Sequence, residues 1–131
     1  IRETENTGHW VVILRYKNVI ESFNSYGLEP SGDLKLIDQQ VNISLGQNKK
    51  WLNILLEKAV KDGFNVIYNK APLQKFSSDR LTIATCGRHV CLRILMLQKY
   101  NMDLKKYLSF MDELKKISRL NYDEIVTLII K

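Results

Sequence analysis

Two runs rich in β-branched and aromatic residues, His9 to Tyr16 (His-Trp-Val-Val-Ile-Leu-Arg-Tyr) and Val19 to Tyr26 (Val-Ile-Glu-Ser-Phe-Asn-Ser-Tyr), are separated only by Lys17 and Asn18. This spacing constrains the fold more than any other feature, because a two-residue connection joins neighbouring strands as an antiparallel hairpin. Asn18 is the residue expected to take the positive φ of the turn. With Lys17 and Asn18 in the turn, Tyr16 faces Val19, and counting outward pairs Val11 with Asn24 and His9 with Tyr26. His9 and Asn24 are then diagonal neighbours on one sheet face, with Cβ atoms roughly 7 Å apart. An imidazole and an amide at that separation can share a hydrogen bond. A three-residue turn would put them on opposite faces.

The second constraint is Thr85-Cys86-Gly87-Arg88-His89-Val90-Cys91, which opens an apolar run from Leu92 to Tyr100 that reads as a buried helix. At a helix N-terminus the first N–H groups lack intrahelical partners and the macrodipole presents its positive end, so a thiolate at Cys86 is stabilised. Thr85 is expected to cap the helix, Gly87 to permit close approach of another chain, and Leu92, Leu95, Met96 and Lys99 to recur at helical spacing. A cysteine in such a place is either a nucleophile or a small packing hydrophobe. Cys91, among apolar neighbours, is expected to be the packing residue.

The rest of the chain reads as follows. Gly27 to Asp33 ends the hairpin in a loop, and Leu34 to Gly46 is expected to be loop with a short helix. Asn48 is expected to cap a helix running to Asp62, with Trp51, Leu52, Leu55, Leu56 and Ala59 on its apolar face and Gly63 ending it. Phe64 to Tyr68 reads as a strand, and the loop through Pro72 and Gln74 leads to Cys86. Asp103 is expected to cap a helix from Leu104 to Ser118 with a buried stripe of Tyr107, Leu108, Met111, Leu114 and Ile117, and Asn121 to cap a last helix, Tyr122 to Ile130. Trp51 and Tyr107 are expected in the core. This order gives an α+β class, a small mixed β-sheet packed against helices, in one domain spanning residues 1–131.

At 131 residues the chain can bury a core without metal or disulfide staples, and two cysteines five positions apart on one helix point in different directions. A reducing compartment is therefore expected. No apolar segment has the length of a membrane span, and the first residues lack a signal-peptide pattern. A start at Ile1 is expected for a fragment or processed product. The net charge of +6 is spread along the chain, with adjacent pairs only at Lys49-Lys50, Lys105-Lys106 and Lys115-Lys116, as solvated helix faces produce more often than a nucleic-acid surface does.

Of the two histidines, His89 lies one turn after Cys86 and is expected to point along the surface with no orienting partner, whereas His9 has Asn24 beside it. Cys86, His9 and Asn24 are thus the candidate nucleophile, general base and orienter. The same residues carry a resemblance. Gly8-His9-Trp10 at the head of a strand, Phe23-Asn24-Ser25-Tyr26-Gly27 at the end of the next and Thr85-Cys86-Gly87-Arg88-His89 opening the main helix resemble the adenain-like cysteine proteases. These are relatives of the ubiquitin-like-protein proteases, and the likeness is greatest to the maturation proteases of virophages, Polinton (Maverick) elements and large DNA viruses. It runs from His9 to about Tyr100.

The resemblance implies an adenain-like fold with the catalytic cysteine at the N-terminus of the central helix. It implies His9 as general base, Trp10 as the aromatic residue after it, and Asn24 where the family usually has aspartate. It also implies an oxyanion-hole glutamine upstream of the cysteine. Gln74 is the only glutamine between the last strand and Cys86 and takes that role, with residues 75–84 expected to bulge outward. Gly87 and Trp10 would form a narrow passage for a substrate with small residues before the cut. The implied activity is endoproteolysis of viral capsid precursor proteins during virion maturation, by a monomer in the virion or viral factory of the host cytoplasm, with room for a DNA or peptide activator. On the same resemblance, Asn24→Asp is expected to preserve or raise activity.

The same residues admit other uses. Zinc at Cys86, His89, Cys91 and His9 fits no known ligand spacing and position 91 faces away from 86 and 89, so no metal or other cofactor is expected. Removal of ubiquitin-like modifiers is a second enzymatic reading. A binding module that keeps the fold without the activity is a third, suggested by Asn24 in place of aspartate and by the distance of Gln74 from Cys86.

Overall fold

A computed structural model describes residues 1–5, 7–75 and 84–131. Strand β1 (Val12–Tyr16) pairs antiparallel with β2 (Val19–Phe23), and β2 pairs in parallel with β3 (Asn65–Tyr68), giving a mixed sheet of order β1-β2-β3. Tyr16 faces Val19 and Val12 faces Phe23, the register the two-residue turn dictates. Within the turn it is Lys17, at φ 51°, that takes the left-handed conformation expected of Asn18.

A parallel pair needs a crossover. Here it is a 3-10 helix (Gly32–Leu36), α1 (Gln39–Ser44) and α2 (Trp51–Lys61), so the stretch expected to be loop with one short helix contains two short helices. Helix α2 starts at Trp51 rather than after Asn48, and its N-cap position is Lys50, which gives no side-chain cap. It packs on β3 and buries only Leu56. Trp51, expected in the core, is 54% exposed, with Lys49 Nζ 5.2 Å from its ring centre. The reason is architectural: the core lies with the later helices, not with α2.

Those helices are α3 (Cys86–Tyr100), α4 (Leu104–Ser118) and α5 (Tyr122–Ile129). Asp103 caps α4 by accepting from Lys106 N, and Asn121 with Glu124 forms a capping box on α5. The core joins Phe23 of β2, Leu92 and Met96 of α3, Tyr107 and Met111 of α4, and Ile125 and Val126 of α5. Phe23 meets Tyr107 edge to face at 5.8 Å. Ile117, at the end of the expected α4 stripe, is exposed.

One polar device crosses this core. Arg93 of α3 and Glu21 of β2 are both fully buried and form a two-pronged pair, Nε to Oε2 at 2.8 Å and Nη2 to Oε1 at 2.7 Å. Tyr16 Oη donates to the same carboxylate and accepts from Leu104 N, while Arg93 Nη1 donates to the Met102 carbonyl. Sheet, α3 and the α3–α4 turn are thereby fixed to one another. With Arg93 facing inward, Cys91 is turned to solvent, so it is not the buried packing residue that its apolar neighbours suggested.

Candidate functional site

The segment that brings the site together is Phe23-Asn24-Ser25-Tyr26-Gly27 at the end of β2. Phe23 anchors it in the core. Asn69, just past β3 and fully buried, continues the sheet by side chain: its Oδ1 accepts from Asn24 N at 2.9 Å and its Nδ2 donates to Asn24 O at 2.6 Å. The Asn24 backbone is thus held still. The side-chain Oδ1 accepts from Tyr26 N and lies 2.9 Å from His9 Nε2, and Nδ2 donates to Asp33 Oδ2 at 2.7 Å. Because the amide nitrogen faces a carboxylate, the amide oxygen must face His9. Nε2 therefore carries a proton, and Nδ1 of the neutral ring carries the lone pair.

His9 is held from both sides. Its ring stacks on Tyr26 with centres 4.3 Å apart and planes 16° apart. Its N–H donates to the Ile1 carbonyl and its carbonyl accepts from Ile1 N, an approach that requires Gly8, where a Cβ would overlap the Ile1 oxygen.

Cys86 is the first residue of α3 and is buried. Burial pushes its thiol pKa up, but the hydrogen bond with His9, the backbone N–H groups of Trp10 and Gly87 and the charge of His9 overcome this and lower it. At His9 burial acts downward, and hydrogen bonds to Cys86 and Asn24 with the charges of Cys86 and Asp33 raise the pKa above its ordinary value. The two shifts favour the same state, a thiolate beside an imidazolium. Trp10 is exposed and lies over Gly87, whose added Cβ would come 3.6 Å from the indole Cδ1.

Ser25 places Gln74. The Ser25 carbonyl accepts from Leu73 N and Gln74 N, and Ser25 Oγ donates to Gln74 Oε1 at 2.7 Å, so Nε2 is the donor end of the amide left for another acceptor. Gly27, at φ 71°, lets the 70–72 loop pass, since a Cβ there would come within 2.9 Å of three backbone atoms. The expected bulge of 75–84 falls on residues 76–83, outside the described residues. Its two flanks, however, meet at one carboxylate of α5: Asp123 Oδ2 accepts from Lys75 N at 3.1 Å, and Oδ1 accepts from Thr85 Oγ1 at 2.6 Å. Gln74 and Cys86 are each one residue from that point.

Over 126 residues, 95% of its length, the chain is 33% identical to the Sputnik virophage protein named "Uncharacterized protein V9", of which the match covers 67%. The chain belongs to the family of that virophage protein. No protein-family model and no solved structure matches it.

In this virophage-family chain several residues of the site give no local sequence signal. Asp33 and Asn69 act across loops. His89, expected at the surface, is fully buried, with Nε2 donating to Asp123 Oδ1 at 3.0 Å. Thr85 caps Asp123 instead of α3. Among the described residues no group of three or more His, Cys, Asp or Glu converges as metal ligands. None of their helices is long and apolar enough to cross a membrane.

Burial pushes the Asp123 carboxyl up, while hydrogen bonds from His89, Thr85 and Lys75 hold it below its ordinary value. Asp123→Ala strands these donors and is expected to lower stability at pH 7 by about 2 kcal/mol in urea unfolding. A carboxyl whose pKa falls on folding contributes above its unfolded value and loses the contribution as pH drops through the folded one. Wild type and variant are therefore expected to converge in acid.

Proposed function

We propose that the chain is a cysteine endopeptidase of adenain-like fold that cuts viral structural precursor proteins during virion maturation. The observation that carries this reading is His9 held between Asn24 Oδ1 and the thiol at the head of α3, with the tautomer that leaves Nδ1 for that thiol. In the reaction the Cys86 thiolate, its proton already on His9 Nδ1, attacks a peptide carbonyl carbon. The oxygen that becomes anionic is met by the Cys86 N–H and by Gln74 Nε2, donors worth on the order of 3 kcal/mol each. His9 returns the proton to the leaving amine, and water, deprotonated by His9, then hydrolyses the thioester. Trp10 over Gly87 favours small residues before the cut. The virophage relationship supports a viral protein; capsid precursors as substrates and the virion or viral factory as the place of action follow from the protease resemblance.

Co-expression with a virophage capsid precursor is the direct test. The wild-type chain is expected to cut it, and Cys86→Ala and His9→Ala to abolish cutting, read by mass spectrometry of the products. Cleavage that survives both substitutions would remove the assignment.

A further inference from the structure

Asn24 stands where a carboxylate would be expected to support an imidazolium, and an amide by itself carries no charge. Directly behind it lies Asp33, in the first turn of the 3-10 helix and 5% exposed. Its Oδ2 accepts from Asn24 Nδ2 at 2.7 Å, and its Oδ1 is 4.0 Å from His9 Nε2. We propose that Asp33 is a positioning residue of the cysteine–histidine pair, supplying through and past Asn24 the negative charge that keeps His9 protonated and Cys86 ionised.

Three observations support this. The contact is buried, so the charge is weakly screened. The hydrogen bonds run in one direction, from His9 Nε2 to Asn24 Oδ1 and from Asn24 Nδ2 to Asp33 Oδ2, so the carboxylate both orients the amide and polarises it. Among the described residues, the other groups facing His9 do not supply the charge. Tyr26, stacked on the ring, stays neutral because burial and the negative charges of Cys86, Glu3, Asp33 and Asp123 raise its pKa. Trp10 offers a backbone N–H to the sulfur, and Cys86 is the partner itself. Among the described residues, Asp33 is thus the carboxylate that stands within reach of the imidazolium.

The inference rests on the pair described under the proposed function, but its test needs no peptide substrate. Iodoacetamide labelling of the folded chain is followed from pH 4 to 9 by mass spectrometry, with exposed Cys91 as internal reference. In wild type Cys86 is expected to react faster than Cys91 at pH 6. Removing an opposite charge at this distance moves a pKa by about one unit or more. Asp33→Asn is therefore expected to shift the Cys86 inflection upward by about one unit. It should slow labelling at pH 6 about threefold, because a less acidic thiolate is also more nucleophilic.

The exchanged pair Asn24→Asp with Asp33→Asn keeps one amide, one carboxylate and their hydrogen bond, and is expected to restore the wild-type profile. An unchanged profile in Asp33→Asn, or an exchanged pair that behaves like Asp33→Asn, overturns the proposal. If Asp33→Asn does not fold, the exchanged pair decides alone: a wild-type profile supports the proposal and a shifted one rejects it. A wild-type Cys86 no faster than Cys91 at any pH removes the pair itself, a failure separate from that of Asp33.

Discussion

Arg93→Ala is expected to cost about 3–5 kcal/mol of folding stability, the range found when one member of a buried ion pair is removed. The loss is large because Glu21 remains, fully buried, with Tyr16 Oη as its one other side-chain partner among the described residues. The Met102 carbonyl loses its donor at the same time, loosening the α3–α4 turn. Urea unfolding at pH 7 measures it, and a chain of this length would melt about 10–20 °C lower. Replacing both members together, Glu21→Leu with Arg93→Met, is expected to recover most of the loss, since the pair's own attraction is largely offset by its desolvation. A single variant within 1 kcal/mol of wild type would show that water reaches Glu21.

The second large effect reverses a family-based expectation. Asn24→Asp, which would restore the usual acid, instead places a second carboxylate against Asp33, whose Oδ2 is 2.7 Å from Asn24 Nδ2. Two carboxylates sharing a site cannot both ionise cheaply, and one pKa rises by about 2–3 units. At about 1.4 kcal/mol per unit, the single variant is expected to lose about 3–4 kcal/mol at pH 7. The sign follows from linkage: a carboxyl with a raised folded pKa binds more protons folded than unfolded between the two values, so stability falls as pH rises there. The deficit is therefore expected to shrink toward pH 4 and to vanish in the exchanged pair with Asp33→Asn. A single variant as stable as wild type at pH 7 would mean that Asp33 has moved away.

What could be read from the sequence was what is decided locally or by counting. Lys17 and Asn18 set the hairpin register, and that count put His9 near Asn24. The ladder itself ends at Val12 and Phe23, and the contact beyond it is held by Ile1, Tyr26 and Asn69. Asp103 and Asn121 matched as caps because capping involves residues three positions apart. Thr85 failed as a cap for the opposite reason: its hydroxyl had a better acceptor in Asp123, 38 positions away. The same residue took His89 out of solvent. Trp51 and Cys91 were misplaced because apolar neighbours show that a helix has a buried face without showing which layer covers it, and Arg93 claimed the inward place with its charge. Asp33 left no trace in any periodicity, since its role depends on where a crossover loop returns.

The meeting of Lys75 and Thr85 on Asp123 also bears on how such a chain can vary. A loop whose two ends are pinned at one carboxylate has its span set independently of its length, and lengthening it adds closure entropy only logarithmically. The number of residues among the eleven positions between Gln74 and Cys86 can then change without moving either end of the site. Insertions there are expected to leave the two ends of the site in register.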